Sequence, residues 1–315
     1  MYDMEALRRL RENFDFDSEK ERRQFAKQLE SLVQSWTVHL SILNLTLKDV
    51  DTDCDLLTEA HRKSQLPDFN LILKKEEIDR LLTDALYGTN RFISLAIKTG
   101  YKDEPDLDSV GKPVTRRTTA LHRAARLIRQ VSSTLVRDLF RVYDKFDANY
   151  VDEDGLTHLH VACLFGCEDV VEKFLDHGAD PNCRAKQTGY TTLHLATRLG
   201  SHDMVRLLLE YGANPNLADE QGRTALHSIC QELGDDWFLA QMLLVLCHDE
   251  FRPVLVDARD KRGDTPLNLA MESENEMLVR LLLKNGADRT LTDKAEDVMS
   301  RELAKLERLA GVAKE

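Results

Sequence analysis

The 315-residue chain lacks positive charge: 43 lysines and arginines face 55 aspartates and glutamates, for a formal net charge of −12. Nucleic acid and anionic membrane surfaces both repel a net anion, so unassisted binding to either is not expected. Cysteines are few, at 54, 163, 167, 183, 230 and 247, with no Cys-x-x-Cys pair. A chain this long needs no disulfide framework, so reduced thiols in a cytoplasmic or nuclear compartment are expected. Long hydrophobic runs are also missing. The longest uncharged stretch, Ser31 to Leu47, contains Gln34, Ser35, His39 and Asn44, and is too short and too polar for a membrane helix. Met1 to Arg9 is charged and does not read as a secretory signal, which leaves the sequon Asn44-Leu45-Thr46 accidental. There is no phosphate loop, nucleophile elbow or paired-carboxylate constellation. No enzyme, no cofactor and no small-molecule substrate is therefore expected.

What the chain does have is one phrase, repeated. It reads Thr119-Ala120-Leu121-His122-Arg123-Ala124-Ala125, then Thr157-His158-Leu159-His160-Val161-Ala162-Cys163, then Thr191-Thr192-Leu193-His194-Leu195-Ala196-Thr197. Thr224-Ala225-Leu226-His227-Ser228-Ile229-Cys230 and the weaker Thr265-Pro266-Leu267-Asn268-Leu269-Ala270-Met271 follow. The opening threonines are 38, 34, 33 and 41 residues apart, so the middle values set a period and the outer ones carry insertions. Each threonine can cap a helix, and Pro266 suits a first helical position. The leucine and the small residue three positions on share a helix face. A second helix follows, for example through Val170, Val171, Phe174 and Leu175, and ends at Gly178, Gly212 or Gly286.

Residues 1–110 carry no repeat. Phe25, Leu29, Leu32, Trp36, Leu40 and Leu43 make one helical stripe, which reads either as a face packed on the protein itself or as a docking helix. Asp49, Asp51, Asp53 and Asp55 approach a calcium loop, but Cys54 and Ala60 stand where the glycine and the bidentate glutamate belong. Glu76 to Tyr87 and Arg91 to Lys98 read as helices. Gly100 to Pro113 is polar and acidic, with two prolines, and reads as a linker and domain boundary.

The lead-ins Asp152-Glu153-Asp154-Gly155 and Asp219-Glu220-Gln221-Gly222, with the turns Ala179-Asp180-Pro181-Asn182 and Ala213-Asn214-Pro215-Asn216, complete a pattern that resembles the ankyrin repeat family over about residues 115–293. The resemblance implies an all-α solenoid of helix-turn-helix units with short β-hairpin fingers. The domains would then be an N-terminal helical region (1–110), a five-repeat array (111–293) and a C-terminal capping helix (294–315). Repeat one departs from the pattern, with Arg117 in place of the lead-in glycine.

His122, His160, His194 and His227 share one repeat position. The resemblance implies that they bond neighbouring backbone at the turn. Metal binding by His158, His160, Cys163 and Cys167 is not expected, because His158 and Cys163 do not share a helix face. The function expected is non-enzymatic protein binding, as an interaction module or scaffold, through the concave face and finger tips. Leu156, Leu164, Phe165, Tyr190 and Leu199 would form an apolar anchor, with Arg198, Arg223, Lys261 and Arg262 around it. Two alternatives are an inhibitor-like regulator that masks a basic transcription-factor surface, and an adaptor whose N-terminal helices recruit a second protein. Gly111 to Lys145 carries nine basic and two acidic residues, and reads as a solvated face or as a docking site for an acidic partner or nucleic acid.

Overall fold

The computed structural model describes residues 9–32, 69, 73–87, 91–232 and 236–291. The Asp49 to Glu59 run, the residues of the first stripe from Trp36 onward and the 294–315 stretch lie outside the described residues. The chain divides into two compact units, Met1–Tyr150 and Val151–Glu315.

In the first unit, α1 (Lys75–Leu86) and α2 (Arg91–Lys98) form a helix pair, followed by α3 (Ala120–Arg126) and α4 (Ser133–Val142). α1 packs on α3 and α2 on α4, the same pairing that relates successive repeats further on. Residues 19–32 are also helical, and Phe25 and Leu29 are buried there. Phe25 packs edge-on against Phe14 and Phe16, with ring centroids 5.8 and 4.9 Å away. Arg22 ties this helix to α1 through Asp84, with Nε to Oδ2 at 2.6 Å. Phe25 and Leu29 thus face their own unit.

The stretch from Gly100 to Pro113 is not a linker. It is an ordered finger that belongs to the first unit. Asp108 Oδ1 accepts from the Val110 and Lys112 N–H groups at 2.8 and 2.9 Å, and Leu107 bridges Pro113. Asp152 does the same with the Asp154 and Leu156 N–H groups, both at 2.9 Å. Asp219 and Asp260 repeat it with Gln221 and Arg223 and with Arg262 and Asp264. An aspartate holding two backbone donors builds the turn itself, and a stretch rich in proline and acid hides that in its composition. Among the described residues the fingers are turns with isolated bridges at two places, not paired strands.

Arg117, in the lead-in glycine's place, is the centre of a buried network. Its Nη1 donates to Asp103 at 2.8 Å and its Nε to Asp79 at 3.0 Å. Tyr143 donates to Asp79, and Tyr150 to Asp103 at 2.6 Å. The guanidinium lies over the Tyr150 ring, 5.4 Å from its centroid. Burial raises the Asp79 carboxyl above the usual range, against the pull of Arg117.

In the second unit the helices come in pairs: α5 (His158–Leu164) with α6 (Glu168–Asp176), α7 (Thr192–Leu199) with α8 (His202–Glu210), α9 (Ala225–Glu232) with α10 (Trp237–Leu246), and α11 (Pro266–Glu272) with α12 (Glu276–Lys284). Thr157, Thr191 and Thr265 cap their helices as expected, each accepting from the N–H three residues on. The insertion after α10 is pinned by Asn216, which donates to the Phe251 carbonyl at 2.8 Å and accepts from the Leu255 N–H at 2.8 Å.

Each repeat histidine joins two segments. His160 Nδ1 accepts from the Thr157 N–H at 3.2 Å, which fixes the proton on Nε2. Nε2 donates to the Tyr190 and Cys183 carbonyls at 3.2 and 3.1 Å. His194 reaches the Arg223 carbonyl at 3.0 Å and His227 that of Asp264 at 3.2 Å. In the first unit His122 reaches Tyr150 at 3.3 Å. Burial lowers the His160 pKa to about 4 and also depresses His194 and His227. A histidine depressed in the folded state stabilises fully above its unfolded pKa, and that stability is lost as pH falls through the folded value. Thermal unfolding should therefore shift to lower temperature as pH drops from about 6.5 towards 4. His160→Asn should flatten that slope.

Candidate functional site

The candidate surface is made by the fingers and the first helices of the second unit. The fingers are chained through backbone. Lys186 N–H donates to the Asp154 carbonyl at 2.8 Å, Glu220 N–H to Thr188 at 2.9 Å, and Lys261 N–H to Gln221 at 2.8 Å. Their spacing is thereby fixed before any partner arrives.

At their base lies a polar and aromatic node. The Tyr190 hydroxyl accepts from Arg198 Nη1 at 2.6 Å and from Arg223 Nη2 at 3.2 Å. The Arg198 guanidinium also lies over the Tyr190 ring, 5.1 Å from the centroid, a cation–π arrangement. Tyr190 stacks on His194, with centroids 5.9 Å apart. Arg223 is held by Asp219 Oδ2 at 2.9 Å and reaches Gln231 at 3.2 Å. The structure thus brings Tyr190, Arg198 and Arg223 together and adds Gln231 and Asp219. Side chains fixed by several neighbours lose little further freedom on binding.

The expected apolar anchor divides. Leu199 is 48% exposed, and its Cδ2 lies 3.2 Å from where a Cβ on Gly166 would stand. Leu156 and Leu164 are half-buried. Phe165 is only 8% exposed and belongs to the stack, which corrects its place as an exposed contact. It ends α5 as the residue after Leu164, and its N–H returns to the Val161 carbonyl at 3.1 Å. Phe165→Ala would then empty core volume at about 3 kcal/mol and report on folding as much as on binding. Lys261 and Arg262 are exposed on the next finger.

His158, whose identity the repeat does not explain, is buried, with its ring edge-on to Phe174 at 6.5 Å. Both nitrogens of His160 face donors or carbonyls of its own fold. Burial pushes the Cys163 thiol well up, and Cys183, 3.7 Å from His160 Nδ1, up to about 11. A thiol so raised is neither a nucleophile nor a ready ligand at neutral pH. Among the described residues no group of three His, Cys, Asp or Glu side chains is placed to hold a metal ion, and no helix is long and apolar enough to cross a membrane.

A family model described as ankyrin repeats (3 copies) matches residues 81–185, 121–219, 177–250 and 215–293. The match begins before residue 115, and its start falls within the α1–α2 pair. A comparison with curated proteins found no match. Repeats of this kind are generally protein–protein interaction modules, and typically non-enzymatic. With the matched stretch running from residue 81 to residue 293 of 315, the chain belongs to the ankyrin repeat family.

Proposed function

We propose that the second unit binds a protein partner through its fingers and first helices, with Leu199 and the Tyr190–Arg198–Arg223 node as the centre. The observation that carries this reading is an exposed leucine, Leu199, next in the chain to Arg198, which together with Arg223 clamps the Tyr190 hydroxyl. Apolar and arginine–aromatic anchors with a polar rim are how binding energy concentrates at interfaces. Leu156, Leu164, Lys261 and Arg262 flank that centre. The compartment proposed is the cytoplasm or nucleus, where the thiols stay reduced.

Leu199→Asp should abolish retention of the principal protein captured by the immobilised full chain from a cell extract. The thermal midpoint should stay within about a degree, because the side chain is half in solvent. The same protein retained undiminished by Leu199→Asp and by Arg198→Glu would refute the assignment.

A second reading rests on charge. Residues 151–291 carry 24 acidic and 13 basic side chains, which suits a partner with a basic surface, such as a masked transcription factor. Capture that weakens steeply with salt supports it, and salt-insensitive capture rejects it.

A further inference from the structure

Among the second helices of the repeats, one breaks the pattern of the others. α6, α8, α10 and α12 lie side by side in that order. Counted from the capping residue, the second and ninth places are Asp169 and Asp176 in α6, and Asp203 and Glu210 in α8. All four are exposed. In α10 the same places hold Phe238 and Val245, which are 49% and 57% exposed. In the fifth place, Gln241 stands where α6 has Glu172 and α8 has Arg206. Steps of three and four put Phe238, Gln241 and Val245 on one side of the helix. Nothing from Trp237 to Cys247 is charged, on a chain of net charge −12. The Phe238 ring has His202 of α8 and Trp237 as neighbours, with centroids 5.5 and 6.1 Å away. Met277 takes the second place in α12 and is 45% exposed. A surface helix ordinarily turns charge to water, and an exposed apolar face rimmed by charge marks a contact.

We infer that α10 is a self-association face, packing on α10 of a second copy of this chain about a two-fold axis that runs along the helix. Charge selects this occupant. On one side of α10, α6 carries four acids and one base, and α8 two acids and one base. On the other side, α12 carries one acid and two bases. The sign reverses across an uncharged centre. Rotation about an axis along α10 exchanges the two sides, so the acidic α8 of each copy meets the basic α12 of the other. Glu210 and Lys284 both hold the ninth place, both are exposed, and they come level in that arrangement. Arg206 and Arg280, in the fifth place, are each paired on their own helix, with Asp203 and Glu276. An anionic membrane fits less well, because helices that lie on one carry lysine and arginine beside their apolar face. A few half-exposed side chains fall short of the about 800 Å² per partner that a standard stable interface buries. The dimer is therefore reversible and forms as concentration rises. The inference stands apart from the binding centre proposed above, which uses the fingers and the first helices.

Sedimentation velocity of the full chain between about 1 and about 200 μM tests it. The weight-average mass should climb towards that of a dimer. Phe238→Glu/Val245→Glu should weaken association at least about tenfold. The charge pair gives a second reading that leaves the Phe238 ring contacts intact. Glu210→Lys and Lys284→Glu should each weaken the dimer several-fold, since every pair occurs twice in a two-fold contact. The two changes combined should restore it. The thermal midpoint of each variant, measured beside its run, confirms the fold. A chain that stays monomeric across the whole range overturns the proposal. So does a dimer that Phe238→Glu/Val245→Glu forms as well as the wild type. So does one that the single charge changes leave unaltered or the combined swap fails to restore. Wild-type binding to phosphatidylserine vesicles, lost in Phe238→Glu/Val245→Glu, would assign the face to a membrane and overturn it as well.

Discussion

Gly189→Ala should unfold the second unit at markedly lower denaturant, at a cost of about 3 kcal/mol. Two effects add. The backbone of Gly189 has φ +68°, where a Cβ alone costs about 1–2 kcal/mol. That Cβ would also stand 2.6 Å from the Glu220 nitrogen and 2.9 Å from the Asp219 carbonyl carbon. These are backbone atoms of the next finger, held by the Asp219 turn, so no flexible side chain can move aside. The Glu220–Thr188 bond would open. Gly178→Ala is the control. It has φ +82° and no atom within 4 Å of the added carbon, and should cost only about 1 kcal/mol. Urea unfolding of both variants isolates the finger-to-finger approach. Equal costs would show that the fingers yield to each other.

The second large effect belongs to Arg117. Arg117→Met should destabilise the first unit by about 4 kcal/mol, because it leaves Asp79 and Asp103 buried without their cation. The side chain of Asp103 is 1% exposed, so water cannot replace the guanidinium there. Adding Asp79→Asn and Asp103→Asn should restore more than half of the loss, since the amides carry no charge to compensate. The single variant should recover stability as pH falls. Asp79 already lies above the usual carboxylate range through burial, and without Arg117 it rises further. The folded state then holds its proton more tightly than the unfolded one, so acidification favours folding. Hydrogen exchange in α1 and α3 would read both effects. A triple variant no more stable than the single one would mean that Arg117 acts by packing rather than by charge.

Much of the repeat is legible because its chemistry is local. A threonine three residues before a histidine predicts both the helix cap and the tautomer. The period assigns each ring to the same job, and His160 and His194 do it with the same bonds. The finger at Asp108 was hidden for a different reason. Its Asp-x-x-Gly turn is intact, but the longer chain between it and Thr119 moves it out of phase, and the prolines around it mimic a linker. Arg117 reads as a lost glycine, because its partners lie 14 and 38 residues away in the chain. Exposure at the candidate surface is not local either. Phe165 and Leu199 occupy equivalent places in the phrase, yet one is buried and the other half in solvent. Burial there depends on side chains outside the phrase, which the phrase does not encode.

The histidine bonds give the second unit a direction. Each imidazole is held by the threonine of its own repeat and grips a carbonyl that leads into the next: Tyr190, then Arg223, then Asp264. At Asn268 the series stops, and the side-chain oxygen there simply accepts from Thr265 at 3.1 Å. The joints are thus head-to-tail and interchangeable. A copy of residues 157–190 inserted after Tyr190 would bring both the imidazole that grips and the carbonyl that is gripped. The array can lengthen by duplication without inventing a new joint, and each added unit extends the row of positions offered to a client.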